Sequence, residues 1–283
     1  MARPGLPDRG SRRGAGLGME SRLRRALERD ELLLHFQPKV DVRTGAITSA
    51  EALVRWRNPD LGTVSPAEFI PLAEETGLIV PIGEWVLHSA CAQASAWHRQ
   101  GHSLSIAVNL SARQFRQKEL CETVRLALAD SGLDARHLEL EITESMVMKR
   151  ADQAIATLQQ LNEIGVELSV DDFGTGYSSL SYLKRFPVHK LKIDQSFVRE
   201  LHKSADDAAI VRAVVALAKS LNLKTVAEGV ETEQQLIFLA GLHCDEYQGY
   251  YFSKPLPAAD FLQLLHARSA APSALVAPAR HII

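Results

Sequence analysis

The chain is poor in cysteine. Cys91, Cys121 and Cys244 are its only thiols, they lie far apart, no CxxC occurs, and an odd number closes no disulfide framework. A disulfide scaffold is thereby excluded, and reduced thiols in a cytoplasmic protein are expected. Cys and His at zinc-site spacings are missing as well. No uninterrupted apolar run reaches membrane-spanning length. The longest candidate, "AAIVRAVVALAKSLNL", is broken by Arg212 and Lys219 and has the pattern of an amphipathic helix. Nor is there an excess of positive charge. A formal net charge of −2 gives no overall basic field for a nucleic acid polymer, so a phosphate ester would have to be met by a metal or by local Arg and Lys. No internal repeat is visible.

What remains suits a globular domain with a full core: 46% of 283 residues are hydrophobic and 23% charged. The N-terminus, "MARPGLPDRGSRRGAGLG", is basic and rich in Gly and Pro and lacks the apolar core of a signal peptide. Residues 1–19 are expected to form a disordered leader or linker, residues 20–268 a folded domain, and residues 269–283, rich in Ala and Pro, a flexible tail. The segment "ESRLRRALERDE" reads as a helix, suited either to a junction with an upstream domain or to a plug at the barrel bottom with Leu23 and Leu27 facing inward. In "SPAEFIPLAEE", Ser65, Pro66 and Glu68 form the pattern of a capping box with Pro at the first helical position.

Between Glu20 and Arg268 the pattern alternates. Strand candidates are "LLLHFQPKVD", "ITSAEALVRW", "SIAVNL", "LELEIT", "VELSVDDF", "KLKID", "TVAEGV" and "DEYQGYYF", with helical periodicity between most of them. Eight strands with intervening helices in this length suggest a (β/α)8 barrel, with an open doubly wound sheet as the alternative. The first two strands depart from an ideal barrel. Only "RTGA" separates them, enough for a hairpin turn and not for a crossover helix, so they should pair antiparallel.

Polar residues gather toward the ends of these strands. Glu51 lies in the second, Asn109 and Glu141 end the third and fourth, Asp171 and Asp172 end the fifth, Lys192 and Asp194 sit at the sixth, Glu228 at the seventh and Gln248 at the eighth. In a barrel these ends converge on one mouth. The five carboxylates Glu51, Glu141, Asp171, Asp172 and Glu228, with the Asn109 amide, make an oxygen-rich set suited to hard cations such as Mg²⁺, Mn²⁺ or Ca²⁺. Two ions bridged by Asp171 would explain why two acids stand side by side, and two-metal sites activate water and stabilise the leaving oxygen of a phosphate ester. Any one of these acids, taken alone, is most often a cap or surface group, and Lys192 reads equally well as a surface charge. Only the recurrence of the whole set at strand ends favours a site.

Eight ordered blocks, "FQPKVD", "EALVRW", "AVNLSARQF", "LELEITES", "DDFGTGYSSL", "LKIDQSFV", "VAEGVE" and "QGYYFSKPL", resemble those of EAL-domain cyclic di-GMP phosphodiesterases over about Leu23 to Leu265. The resemblance implies a modified TIM barrel with one antiparallel strand and hydrolysis of cyclic di-GMP to linear 5′-pGpG with two Mg²⁺ or Mn²⁺ ions, Ca²⁺ being inhibitory. It implies Glu51, Asn109, Glu141 and Asp171 as ligands of the first metal, and Asp171, Asp172 and Glu228 as ligands of the second. Glu228 is also implied as general base, and Lys192 as a contact of the attacking water or the phosphorane charge, with Glu51 counted among the catalytic residues. Gln37, Leu53, Arg55, Asp194 and Gln248 fall at substrate contacts. Glu144 falls where the family anchors the loop after "VDDF", in which Gly174 and Gly176 give freedom and Thr175 and Ser178 offer hydroxyls. A homodimer is implied too, through the helix after that loop, where Leu180, Tyr182, Leu183 and Phe186 recur at helical spacing.

Two other functions compete with the hydrolase. A non-catalytic cyclic di-GMP receptor would be marked by a missing acid, and none is missing. An interaction module using the barrel as a scaffold gives no reason to keep the acids.

Overall fold

A computed structural model of the chain describes residues 9–149, 151–175 and 180–270. Residues 1–8 of the expected leader, Gly176 and Ser178 of the loop, and residues 271–283 of the expected tail lie outside the described residues. The helix Arg9–Ala26 runs across the leader boundary expected at residue 19.

Among the described residues there are ten strands: β1 (Leu32–Asp41), β2 (Ile47–Asn58), β3 (Gly62–Val64), β4 (Ser105–Asn109), β5 (Leu138–Thr143), β6 (Glu167–Phe173), β7 (Lys190–Ile193), β8 (Lys224–Ala227), β9 (Glu246–Tyr247) and β10 (Leu256–Pro257). Eight of them close into a barrel in the order β1-β9-β8-β7-β6-β5-β4-β2, with β2 returning to β1. The strands β2 and β4 to β9 pair in parallel with one another, whereas β1 is antiparallel to both β2 and β9. This is the expected α/β barrel with one antiparallel strand. The short β3 and β10 extend β2 and β1 as antiparallel flaps. Asp41 closes the expected hairpin: its Oδ1 accepts from the amides of Arg43 (3.0 Å) and Thr44 (2.6 Å) and from the Thr44 hydroxyl (2.8 Å).

The reversed β1 decides where the N-terminal helix lies. Leu32, at the start of β1, faces Trp56 near the end of β2. A helix entering β1 therefore arrives at the C-terminal end of the parallel strands. There Arg22 meets Asn58 and Asp60, and Glu31 accepts from Trp56 Nε1 (2.9 Å) and Asn58 Nδ2 (2.9 Å). The helix is thus not a bottom plug. Leu23 is buried as expected, while Leu27 is only partly covered.

The long helices Ile79–Arg99, Leu120–Ser131, Ala151–Ile164 and Ala205–Ser220 bury their apolar faces on the barrel wall. The wall presents to them Leu138, Leu140, Ile142, Leu168, Val170, Leu191 and Ile193, all fully buried. Two capping boxes form, Ser111 with Gln114 and Thr232 with Gln235. The expected one at Ser65 does not. Pro66 does occupy the first turn, but the Ser65 side chain makes no cap bond; its carbonyl only accepts the first helical bonds, from the Glu68 and Phe69 amides.

The helix Ala258–Ala270 locks the barrel from outside: Phe261 stacks on Trp97 at 4.8 Å, and Trp97 meets Phe36 of β1 edge-on at 4.8 Å. All three rings are buried. Phe261→Ala should therefore cost ~3–5 kcal/mol of stability in urea unfolding, with the barrel mouth unchanged. A loss below ~1 kcal/mol would show that this helix is not part of the cooperative unit.

Candidate active site

At the C-terminal ends of the parallel strands, one ammonium group gathers acids from three strands. Lys192 is buried on β7, and its Nζ lies 2.6 Å from Glu141 on β5, 3.0 Å from Asp171 on β6 and 2.7 Å from Glu228, just past β8. Burial works against the Lys192 charge, but Asp171, Glu141 and Glu228 outweigh it and hold its pKa well above the usual lysine value. Beside this centre Glu51 accepts from Asn109 Nδ2 at Oε1 (2.6 Å) and from Gln248 Nε2 at Oε2 (2.6 Å). Gln248 also donates to Gln37 Oε1 (2.9 Å), and Gln37 donates to the Ser253 carbonyl (3.1 Å). Gly249 keeps Gln248 in place. A Cβ there would lie 2.0 Å from the Val230 carbonyl oxygen, and Val230 NH donates to the Gln248 carbonyl.

Adjacent residues of a strand normally face opposite ways, so Asp171 and Asp172 should not both reach one site. A bulge resolves this. Val170 pairs with Leu191 and Phe173 with Ile193, leaving one extra residue on β6, and Asp172 takes a left-handed φ of 55°. The carboxylates of Asp171, Asp172 and Glu228 then offer oxygens within 4.8 Å of one another. Glu144, buried at the start of the helix Glu144–Met148, accepts the Gly174 amide at 3.1 Å. Thr175 Oγ1 donates to the Asp172 carbonyl at 2.8 Å. The loop root is thus tied on both sides of the bulge.

Burial and mutual repulsion oppose ionisation here. Burial pushes Glu228 up to about 8, with Lys192 pulling the other way and Asp171, Glu51 and Glu141 adding to the rise. Asp172 is pushed up to about 6 by burial and by the charges of Asp171 and Asp194, against Lys192. Glu141 is raised as well, chiefly by burial, which outweighs Lys192 and Lys39. A bound cation would relieve this burial and repulsion, and an all-oxygen set with one amide fits Mg²⁺ or Mn²⁺ better than zinc.

The residues expected to meet a substrate are less tightly gathered. Leu53 and Arg55 line a pocket of about 300 Å³ with Asn109 and Ser111, and the Arg55 guanidinium rests on the Val54 carbonyl at 2.9 Å. Asp194 caps the helix Gln195–Arg199, accepting from the Ser196 amide (2.9 Å) and hydroxyl. A larger groove of about 790 Å³ lies apart, lined by Arg116, Lys118, Lys149 and Gln160 but by none of the converging acids. The chemistry therefore belongs to the mouth.

The sequence reading missed the layer beneath. Lys39 Nζ lies 2.9 Å from Glu139 and 2.5 Å from Glu141, while Lys190 Nζ lies 2.9 Å from Glu139 and 3.1 Å from Glu246. A signal was present. In "LELEI" and "KLKI" charged residues recur at i and i+2 with Leu or Ile between, placing charge on one face of a strand whose other face is apolar.

The EAL domain profile matches residues 20–255, and the chain belongs to the EAL domain family. It is 54% identical over 241 residues to the bifunctional diguanylate cyclase/cyclic di-GMP phosphodiesterase MucR of Pseudomonas aeruginosa, covering 85% of this chain and 35% of MucR. It is 48% identical over 252 residues to the cyclic di-GMP phosphodiesterase NbdA of the same organism, covering 89% of this chain and 32% of NbdA. The chain thus spans about a third of the length of these curated relatives. A solved structure of the PaMucR phosphodiesterase in complex with c-di-GMP superposes with a TM-score of 0.84 at 53% identity, covering 86% of this chain and 99% of that one.

A pH dependence follows from the raised acids. The folded protein keeps protons on Glu228 that the unfolded chain releases near 4.5, so between there and about 8 the folded state binds more protons. Stability of the metal-free protein should then fall as pH rises through that window. Thermal unfolding in EDTA is expected to show a falling midpoint over this range and a shallower fall for Glu228→Gln. Identical slopes for parent and variant would refute the assignment.

Proposed function

We propose that the chain hydrolyses cyclic di-GMP to linear 5′-pGpG with Mg²⁺ or Mn²⁺, two ions per site. The observation that carries this reading is the convergence of Glu141, Asp171 and Glu228 on the buried Lys192, with Asp172 brought in by the bulge. Glu51, Asn109, Glu141 and Asp171 would hold one ion, and Asp171, Asp172 and Glu228 the other. The bound ions would lower the pKa of water and offset charge on the phosphate.

This chain's own residues supply the rest. Glu228, beside Asp171 and Asp172 at the mouth, is placed to take the proton of the attacking water. Attack at phosphorus would break the P–O3′ bond, leaving a 5′-phosphate on one guanylate and a free 3′-hydroxyl on the other. Lys192 keeps its charge and can stabilise charge growing on the phosphoryl oxygens. Arg55 presents a planar donor fork to the second phosphate. Gln37, Leu53, Asp194 and Gln248 would shape the remainder of the nucleotide site, and Glu144 would keep Asp172 in register through Gly174.

A receptor that only binds would not need this set, and no residue of it is missing from the sequence. Among the described residues, no helix is long and apolar enough to cross a membrane.

Incubation with cyclic di-GMP and Mg²⁺ or Mn²⁺, with chromatographic separation of products, should yield linear pGpG. Glu51→Ala should lower the rate on the order of 100-fold while the fold survives. Ca²⁺ should support nucleotide binding without cleavage, because its longer bonds and looser geometry disturb the attack line. Intact nucleotide after long incubation with both Mg²⁺ and Mn²⁺ would leave the receptor as the surviving reading.

We also propose a homodimer through the helix Leu180–Leu183. Leu180 is 56% exposed, Tyr182 is partly buried, and Leu183 and Phe186 face the barrel, so the free apolar surface is smaller than the spacing suggested. Sedimentation should show a dimer that Leu180→Glu weakens. A monomer at every concentration would sink it.

A further inference from the structure

We propose that Lys39 is a positioning residue that confines Glu141 to one-oxygen coordination and so favours Mg²⁺ over Ca²⁺ at the mouth. The proposal rests on the reading of the converging acids as a metal centre. Its ground is the division of the Glu141 carboxylate between two ammonium groups on different levels of the barrel. Oε2 is held by Lys192, which also holds Asp171 and Glu228 at the mouth. Oε1 is held at 2.5 Å by Lys39 from the level below.

Lys39 is itself fixed. It is fully buried on β1, and its ammonium also binds Glu139 Oε1 at 2.9 Å. The other oxygen of Glu139 is taken by Lys190 at 2.9 Å, and Lys190 continues to Glu246 at 3.1 Å. Every charged group in this lower layer is buried and already paired within it. Lys39 therefore has no second position available without leaving a buried carboxylate short of a partner.

A cation approaching Glu141 from the mouth would meet Oε2 alone. A carboxylate oxygen has lone pairs for both an N–H donor and a cation, so Lys192 need not be expelled. Oε1 is held from the layer below, so presenting it to the mouth as well would require the carboxylate to turn and the Lys39 bond to break, leaving that buried ammonium with Glu139 alone. The two ions feel this differently. Mg²⁺ prefers near-octahedral order with one oxygen per carboxylate, whereas Ca²⁺ takes six to eight oxygens and commonly uses both oxygens of a carboxylate.

The test uses the double variant Lys39→Met/Glu139→Gln. It removes one cation and one anion together, so the lower layer stays balanced while Oε1 is released. Mg²⁺ and Ca²⁺ binding to the metal-free full chain is measured by calorimetry without nucleotide. Mg²⁺ affinity should fall about 10–100-fold, with Ca²⁺ affinity held or improved, so that the Mg²⁺/Ca²⁺ preference falls by at least about tenfold. A purely structural role would lower the melting temperature and weaken both ions in proportion, and an unchanged ratio overturns the proposal. A parent that binds neither ion overturns the metal-centre reading itself, which is a separate result. If the variant does not fold, the parent decides: a crystal structure with Mn²⁺ should show Glu141 giving one oxygen to the ion, with Oε1 still on Lys39. Two Glu141 oxygens on the ion overturn the proposal.

Discussion

The arrangement that everything else must satisfy is the neutralisation of charge inside the barrel. The interior of a (β/α)8 barrel is ordinarily packed with layers of branched apolar side chains. Here the inward positions of β1, β5, β7 and β9 carry Lys39, Glu139, Glu141, Lys190, Lys192 and Glu246, all buried. Removing an ion from water still costs several kcal/mol after relaxation. Every such group in this interior has an opposite charge within 3.1 Å. Loss of Lys190 would strand Glu246, loss of Lys192 would strand Asp171 and Glu228, and any other single loss would leave the buried charges out of balance, so the barrel tolerates paired changes better than single ones.

That constraint also explains the irregular geometry at the end of β6. A regular strand would send Asp172 into the outer, apolar layer, where no cation could meet it. The left-handed turn at Asp172, with φ of 55°, brings it back to the mouth. For a residue with a Cβ this costs on the order of 1–3 kcal/mol. The surroundings hold the turn in place: Asp171 Oδ1 accepts the Asp172 amide at 2.9 Å, Thr175 binds the Asp172 carbonyl, and Glu144 takes the amide of Gly174. Gly174 sits at φ 98°, and a Cβ there would press on Phe197 at 3.2 Å. Strain is therefore concentrated beside the acids whose placement requires it.

Much of this was legible in the residues. The short "RTGA" link could only be a hairpin, and it fixed the one antiparallel strand. Acids recurring at strand ends from Glu51 to Glu228 could only meet if the strands closed. What the sequence hid were effects that arise after closure. The bulge at Asp171 and Asp172 is a register shift against β7, which no local pattern in "SVDDF" announces. The lower ladder was half visible in the alternation of "LELEI" and "KLKI", but Lys39 and Glu246 join it only across the barrel. Ser65 shows the converse. Its capping-box pattern was complete in sequence, yet its side chain makes no cap bond.

Charge is not distributed evenly along the barrel axis. In the lower layer Lys39 and Lys190 stand against Glu139 and Glu246, and the balance closes. At the mouth Lys192 faces Glu51, Glu141, Asp171, Asp172 and Glu228. Without added cations this excess is relieved by protons, which is why burial and repulsion push Asp172 to about 6 and Glu228 to about 8 while Glu139 is held well below the ordinary carboxylate range by Lys39 and Lys190 despite its burial. On the proposed metal-centre reading, protons and divalent cations would compete for the same oxygens, and binding of one would release the other. The lower layer takes no part in this exchange because its charges are already matched. The unmet negative charge therefore appears only at the end of the barrel, where Asp172 and Glu228 remain partly open to solvent beside the buried Asp171.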